Sequence, residues 1–107
     1  MPQFTHPDLK DVSLETALHA LSDPVRLAMV RTLVEGERLN CAATGPCGVP
    51  KSTLSNHLRV LRSAGLVESQ SEGREGFNRL RRDEFDARFP GLLDAVLANA
   101  CGVNGPR

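Results

Sequence analysis

The 107-residue chain has no apolar run that approaches the roughly 18 residues required to cross a membrane. Its first residues, MPQFTHPDLKD, lack a basic stretch followed by an apolar one, so we expect no signal peptide. Only three cysteines are present, and without an export signal they indicate reduced thiols rather than a disulfide framework. These absences predict a cytoplasmic protein with no membrane partner.

The sequence also lacks the motifs that carry catalysis. It has no glycine-rich loop of the nucleotide-binding type and no pair of carboxylates in a convincing cleft. We therefore predict that the protein is not an enzyme and uses no cofactor. The chain length favours a single domain over residues 1–107, with no second core.

Net charge is absent as well, because 13 basic residues balance 13 acidic ones. The distribution of charge is uneven, however. Residues 51–82 hold seven basic and three acidic residues, net +4, whereas the other segments hold six basic and ten acidic residues, net −4. A contiguous basic third in a neutral chain predicts a localised site for a polyanion. Ordinary solvated charged faces are the alternative interpretation.

The spacing of apolar residues predicts a first helix that begins at Asp11 or Ser13 and ends near Leu21. Positions i, i+3, i+4 and i+7 of this segment form one apolar stripe, made of Leu14, Ala17, Leu18 and Leu21.

A second helix is predicted from the motif LSDP to Glu35. Asp23 is a natural N-cap, Pro24 suits the first helical position, and Gly36 ends the helix. Its expected buried residues are Leu27, Val30, Leu33 and Val34.

The middle of the chain predicts a short helix, a turn and a longer helix. The short helix covers residues 41–44 and is limited by Gly45 and Pro46, while the longer helix covers residues 51–64 and is ended by Gly65. The longer helix has an apolar inner face, formed by Leu54, Leu58 and Leu61.

The remaining segments predict a β-hairpin and a last helix. Alternation favours strands at 66–71 and 76–80 with a turn through 72–75. A short turn at 83–88 and a helix from residue 90 to about residue 100 follow, with an apolar face, and the tail GVNGPR is expected to be loose.

This order of elements predicts a mainly α fold with a small hairpin wing, the winged helix-turn-helix. A helix fits the major groove of DNA, where small polar and basic side chains reach base edges and phosphates. The candidate DNA-binding residues on the 51–64 helix are Lys51, Ser52, Thr53, Ser55, Asn56 and Arg59. Arg74, at the hairpin tip, is placed to enter the minor groove or to contact the DNA backbone.

Individual side chains in this set suit different DNA groups. Asn56 could pair with adenine, and Arg59 reaches either a phosphate or a guanine. Lys51 and the helix N-terminus favour a phosphate. Exposed helix residues without a partner are the alternative explanation for each residue taken singly.

Two segments resemble the ArsR/SmtB-type winged helix-turn-helix repressors of bacteria. They are ALSDPVRLAMVRTLVEGERL and PKSTLSNHLRVLRSAGLVESQSEGREGFNRL, and the resemblance covers roughly residues 14–97. It implies a homodimer joined through the first and last helices, which binds a two-fold symmetric operator and represses transcription. It also adds His57 to the DNA-binding set.

The chain departs from the family pattern just before the longer helix. The segment Ala-Thr-Gly-Pro-Cys-Gly replaces a regular amphipathic helix, and Pro50 stands where the family commonly has serine. Thiolate-type metal sensors of the family use a C-x-C pair there, whereas Cys41 and Cys47 are six residues apart. Sensors of the other type use Asp, His and Glu pairs on the last helix, which offers only Asp94.

The cysteines therefore leave three interpretations open. Cys41, Cys47 and Cys101 could form a soft-metal site across a dimer, because thiolates favour arsenic or copper(I). Alternatively, Cys101 could form a redox-sensitive disulfide with Cys41 or Cys47. In the third interpretation Cys41 is a small buried apolar residue and the other two are incidental. We assign no metal to these cysteines, and the sequence does not identify a small-molecule effector.

A further alternative comes from another functional class. A winged helix can serve as a protein-interaction module that no longer binds DNA. The exposed basic helix and wing argue against such a module, and burial or pairing of Arg59 or Arg74 within the dimer would favour it.

Overall fold

The computed structural model describes residues 4–36 and 38–104, with side chains described as far as residue 100. Within that part the chain forms a 3₁₀ turn at Leu9–Asp11, six helices and three strands. The helices are α1 (Leu14–Ala20), α2 (Pro24–Glu35), α3 (Cys41–Thr44), α4 (Lys51–Ser63), α5 (Arg82–Arg88) and α6 (Leu92–Asn104). The strands are β1 (Leu39–Asn40), β2 (Val67–Glu72) and β3 (Glu75–Leu80). None of the described helices is long and apolar enough to cross a membrane.

The first two helices start at the residues that their caps dictate. The Ser13 hydroxyl oxygen accepts the Thr16 N–H at 3.1 Å, so Ser13 is the cap of α1 and Asp11 lies in the 3₁₀ turn. Asp23 caps α2, with Pro24 at the first helical position. Gly36 ends α2, as predicted.

The apolar core lies between α2, α4, α5 and the sheet. The predicted inner face of α4 is fully buried, with Leu54, Leu58 and Leu61 each no more than 4% exposed. Burial of one such side chain stabilises the folded state by about 1.5–3 kcal/mol relative to leaving it exposed. Because this face of α4 is fixed against the core, the opposite face is held toward solvent.

The predicted buried face of α2 is wrong in part, because Val34 is 42% exposed and Leu27 is half-buried. In the apolar stripe of α1, Leu14 and Leu18 are 47% and 45% exposed, whereas Ala17 and Leu21 are buried. Helix α1 packs through Ala17 and Ala20, which are both fully buried. Small alanines let the seven-residue helix approach the core closely, and this orientation turns its leucines outward.

Each strand of the wing extends one residue further toward the tip than predicted, and β2 begins at Val67 rather than at residue 66. Strands β2 and β3 pair in antiparallel register from Val67 opposite Leu80 to Glu72 opposite Glu75, so the loop has only two residues. Gly73 takes a φ of 61°, which suits the first position of a tight hairpin loop. Arg74 is the second loop residue and therefore stands at the tip, as predicted.

A third strand was missed by the sequence analysis. Strand β1 pairs with β3, placing Leu39 opposite Asn78 and Asn40 opposite Phe77, and the strand order is β1-β3-β2. Two residues are too few to show alternation, so β1 has no periodic signal.

The end of the chain differs from the prediction at both limits of the last helix. Gly91 adopts a φ of 79°, outside the helical region, so α6 begins at Leu92 rather than at Pro90. The helix continues to Asn104, into part of the tail that was expected to be loose. The predicted turn at 83–88 is the seven-residue helix α5.

Candidate nucleic-acid interface

Helices α3 and α4 form a tightly packed pair joined by the turn at residues 45–50. Asn40 caps α3 through its side-chain oxygen, which accepts the Ala43 N–H at 2.9 Å. A methyl group at Gly45 would lie 2.3 Å from a methyl carbon of Leu54, so any side chain there would force the buried Leu54 to move. The glycine that interrupts α3 in the sequence thus brings α3 against the buried face of α4.

The predicted DNA-binding residues of α4 lie together on and beside its outward face. The exposed members of the set are Lys51, Ser52, Ser55, Asn56 and Arg59. Thr53 and His57 are half-buried at the edges of this face. Arg74 is exposed on the separate wing. The face therefore presents hydroxyl, amide and cationic groups, which are the groups that contact phosphates and base edges.

Asn56 and Arg59 contact each other across one helical turn. The Arg59 guanidinium donates a hydrogen bond to the side-chain oxygen of Asn56. This bond leaves the Asn56 amide N–H groups available as donors. A bidentate Asn–adenine pair needs the same oxygen, so Arg59 would have to share or release it.

His57 is held by a residue that the sequence analysis did not place in the site. Arg26 of α2, which is 8% exposed, lies 3.2 Å from His57 Nδ1 through one guanidinium nitrogen. Because a guanidinium only donates, Nδ1 is the acceptor and the neutral imidazole carries its proton on Nε2. The Nε2–H group is then the donor that His57 offers to a ligand.

Arg26 also joins α2 to the end of α1. Its Nε donates to the carbonyl oxygen of Ala20 at 2.7 Å, and a terminal nitrogen donates to that of His19 at 3.0 Å. The sequence signal for Arg26 was the motif LSDPVR, in which Asp23 and Arg26 are the charged residues. Partial burial alone would raise the pKa of the Asp23 carboxyl. Its hydrogen bonds from the backbone N–H groups of Arg26 and Val25 outweigh that effect, so the net result is a lowered pKa.

Much of the positive charge in residues 51–82 is neutralised within the protein. Arg79 pairs with Glu68, Arg81 with Glu84, and Arg82 with Asp86 and Asp94. Among the described residues, three cations of this segment are exposed and form no ion pair, namely Lys51, Arg59 and Arg74. The free positive charge is therefore concentrated on α4 and at the wing tip.

A buried polar network at the root of the wing connects it to both helices. The Ser69 hydroxyl donates to Asn78 Oδ1 at 2.7 Å and accepts a hydrogen bond from Arg62 at 3.2 Å. The Asn78 amide lies 3.4 Å from the carbonyl oxygen of Leu39 and 3.5 Å from the Thr44 hydroxyl. Sequence alternation placed Ser69 and Asn78 on the strands but gave no sign that they are only 3% exposed.

The cysteines are distributed over different environments. Cys41 is half-buried at the start of α3, and Cys47 is exposed on the turn before α4. The side chain of Cys101, the third predicted thiol, lies outside the described part of the structure. Among the residues whose side chains are described, no three histidine, cysteine or acidic groups are placed to hold a metal ion.

A short helix, a turn, a second helix with an open polar and basic face, and a hairpin wing define a winged helix-turn-helix protein. Residues 21–70 match the family model described as a helix-turn-helix domain. The chain is 42% identical over 79 residues to the uncharacterized HTH-type transcriptional regulator YceK of Bacillus subtilis, covering 72% of this chain and 79% of that protein.

Two further relatives are named repressors. The HTH-type transcriptional repressor SmtB of Mycobacterium tuberculosis is 37% identical over 98 residues, covering 89% of this chain and 70% of that protein. The crystal structure of the transcriptional repressor BigR from Xylella fastidiosa has a TM-score of 0.64 at 28% identity and covers 88% of each chain.

The chain belongs to the ArsR/SmtB-type family of helix-turn-helix transcriptional repressors. Members of this family are regulators that bind double-stranded DNA and are not enzymes. The family, the winged fold and the non-enzymatic, regulatory function predicted from the sequence are thereby confirmed.

Proposed function

We propose that residues 1–107 act as one DNA-binding domain that represses transcription in the cytoplasm by binding a two-fold symmetric operator as a homodimer. The observation that carries this proposal is the outward face of α4, where unpaired cations flank exposed hydroxyl and amide groups. The exposure of Arg59 and Arg74 counts against a protein-interaction module that has lost its DNA contacts.

The side chains divide between phosphate contact and base readout. Lys51, at the start of α4, and Arg74, at the wing tip, contact the DNA backbone. The exposed Ser52 and Ser55 and the half-buried Thr53 donate to either phosphates or bases. Asn56 reads a base, Arg59 contacts a phosphate or a guanine, and His57 donates its Nε2–H to a phosphate while Arg26 fixes its ring.

A dimer through α1 and α6 accounts for the exposed leucines. Leu14 and Leu18 project from α1 at 47% and 45% exposure, an arrangement that favours coverage by a partner. Helix α6 carries the half-buried Val96 and Leu97, which pack in part against the core. A two-fold dimer presents two copies of α4, which enter successive major grooves about 34 Å apart.

Selection of bound sequences from random duplex DNA tests the proposal directly. We expect an enriched inverted repeat with half-sites spaced by about one helical turn. Asn56→Ala should relax the preference at one base pair by about 1–3 kcal/mol, whereas Lys51→Ala should weaken all sequences alike. Recovery of no preferred sequence, or of an unrepeated site bound by a monomer, would contradict the proposal.

A thiol-dependent response of the same repressor is the second candidate function. The exposed position of Cys47 on the turn between α3 and α4 supports it, because modification there would act next to the DNA-binding helix. Zinc, arsenite, copper(I) or an oxidant should then release the protein from its operator. If the wild type stays bound to the operator after these additions, and the Cys41→Ser and Cys47→Ser variants behave in the same way, this candidate function is excluded.

A further inference from the structure

The N-terminal segment at residues 4–7 lies against the last turns of α4 and the outer edge of the wing. The ring of Phe4 stacks on the guanidinium of Arg62, with 4.6 Å from the ring centroid to Cζ. His6 Nε2 accepts the backbone N–H of Ser69 at 3.0 Å, and Arg81 donates to the carbonyl oxygen of Pro7 at 3.0 Å. Contacts through Phe4, His6 and Pro7 thus hold the segment in place.

This docking creates an open recess of about 250 Å³ beside the third turn of α4. Its lining residues are Phe4, Thr5, Arg59, Arg62 and Ser63. The Ser63 hydroxyl already donates to the carbonyl oxygen of Arg59 at 2.9 Å, so Thr5 is the other hydroxyl-bearing residue of the lining. The N-terminal segment therefore forms one wall of the recess, and α4 forms the other.

The recess carries two positive charges that lack a counter-ion. Neither Arg59 nor Arg62 has a carboxylate within ion-pair distance among the described residues. Burial, and then the neighbouring Arg59 guanidinium, lower the pKa of Arg62. Two adjacent guanidiniums repel each other, and an anion between them would relieve that repulsion through charge-assisted hydrogen bonds.

We propose that this recess binds one phosphate of the DNA backbone, so that the N-terminal segment is part of the nucleic-acid interface. The proposal rests on the DNA-binding function argued above. A DNA phosphate is favoured over a free anion because Arg59 belongs at once to the recess and to the outward face of α4. Contact at the recess is independent of base sequence and fixes how far the DNA backbone lies from the end of α4.

The salt dependence of binding to a random-sequence duplex tests the recess, because each phosphate contact adds about 0.9 to the slope of log K against log salt. Arg62→Gln should lower that slope by about 0.9 for each bound subunit. Arg79→Gln is the matched control, since its guanidinium is already paired with Glu68, and its slope should equal that of the wild type. Equal slopes for the wild type and Arg62→Gln, or equal reductions in the two variants, would overturn the proposal.

A second pair of variants leaves the packing of Arg62 untouched. Thr5→Asp places a carboxylate in the recess and should lower the slope as Arg62→Gln does, whereas Thr5→Asn keeps this position neutral and should lower the slope by less. Binding by Thr5→Asp that matches Thr5→Asn would overturn the proposal even if Arg62→Gln proved poorly folded.

Two more measurements distinguish this proposal from a free-phosphate site and from the proposed repressor function. Inorganic phosphate, compared with chloride at equal ionic strength, should not raise the melting temperature of the free protein. A rise that Arg62→Gln abolishes would assign the recess to free phosphate instead of DNA. Failure of the random-DNA selection to yield a preferred sequence would contradict the repressor function, while an altered slope in Arg62→Gln would still support the phosphate site.

Discussion

The root and the tip of the wing differ in almost every property although they are only a few residues apart. At the root, Ser69 and Asn78 are 3% exposed and satisfy each other's polar groups. At the tip, Gly73 and Arg74 are exposed, and a methyl group added at Gly73 would meet nothing within 4 Å. The difference indicates that the root fixes the wing against α3 and α4, whereas the tip is left to contact a ligand.

Removal of the buried amide at the root should have the largest effect on stability. Asn78→Ala leaves the Ser69 hydroxyl without its 2.7 Å acceptor and opens a small cavity. We expect a loss of about 2–3 kcal/mol in the free energy of unfolding, measured by urea denaturation. Gln70→Ala, an exposed position on the neighbouring strand, is the control and should change stability by less than about 0.5 kcal/mol. Similar losses for both variants would erase the distinction between root and surface.

At the tip, the backbone rather than any contact should determine stability. Gly73→Ala forces a side chain onto a φ of 61°, which costs about 1–2 kcal/mol for an ordinary residue. The same urea measurement should show this loss, and Gly73→Asn should recover part of it because asparagine tolerates this region better. Full stability in Gly73→Ala would mean that the loop adopts another turn.

The Arg74 side chain should separate stability from function. Arg74→Ala should leave the urea midpoint within the range of an ordinary surface change, about 0.5 kcal/mol. The slope of log K for DNA against log salt should fall by about 0.9 for each bound subunit, with equal weakening of all sequences. An unchanged slope would show that the wing tip does not contact the backbone.

The smallest predicted effect is a loss of stability at acidic pH through His6, which accepts the backbone N–H of Ser69 at the root of the wing. Burial lowers the pKa of His6, with opposing contributions from Glu68 and Glu84 and reinforcing ones from Arg81 and Arg62. The unfolded chain therefore binds a proton more readily than the folded one. The stability from neutral His6 is present above about pH 6.5 and is lost as the pH falls below that value.

Urea titrations over this pH range should reveal a shallower loss in His6→Gln than in the wild type. Glutamine retains an acceptor for the Ser69 N–H but does not titrate. His19→Gln, at an exposed histidine on α1, is the matched control substitution. Identical profiles for the wild type and His6→Gln would exclude a role for His6 in acid sensitivity.

Local signals in the sequence were sufficient for the elements that carry the interface. The cap at Asp23, the leucine spacing of α4 and the glycine-bearing hairpin each encode their structure within a few neighbouring residues. The fold class and the outward face of α4 were predicted from these alone. The burial of Val34 on α2 was predicted wrongly, because spacing shows that an apolar stripe exists but not how much of it the same chain covers.

The missed features all depend on contacts between distant residues. Arg26 and His57 are 31 residues apart, and His6 and Ser69 are 63 apart. Neither pair leaves a periodic trace in the sequence. The recess beside α4 likewise depends on the docking of the N-terminal segment, which only the three-dimensional structure reveals.

The three hydrogen bonds of Arg26 have a geometric consequence for the proposed dimer. A rotation of α1 against α2 would lengthen the bonds to Ala20 and His19, and a rotation of α4 would lengthen the contact with His57. Arg26 therefore links the orientation of α1 to that of α4, in addition to the apolar core that both helices share. In a dimer formed through α1, the angle between these two helices would determine the distance between the two copies of α4, and thus the operator spacing that the protein accepts.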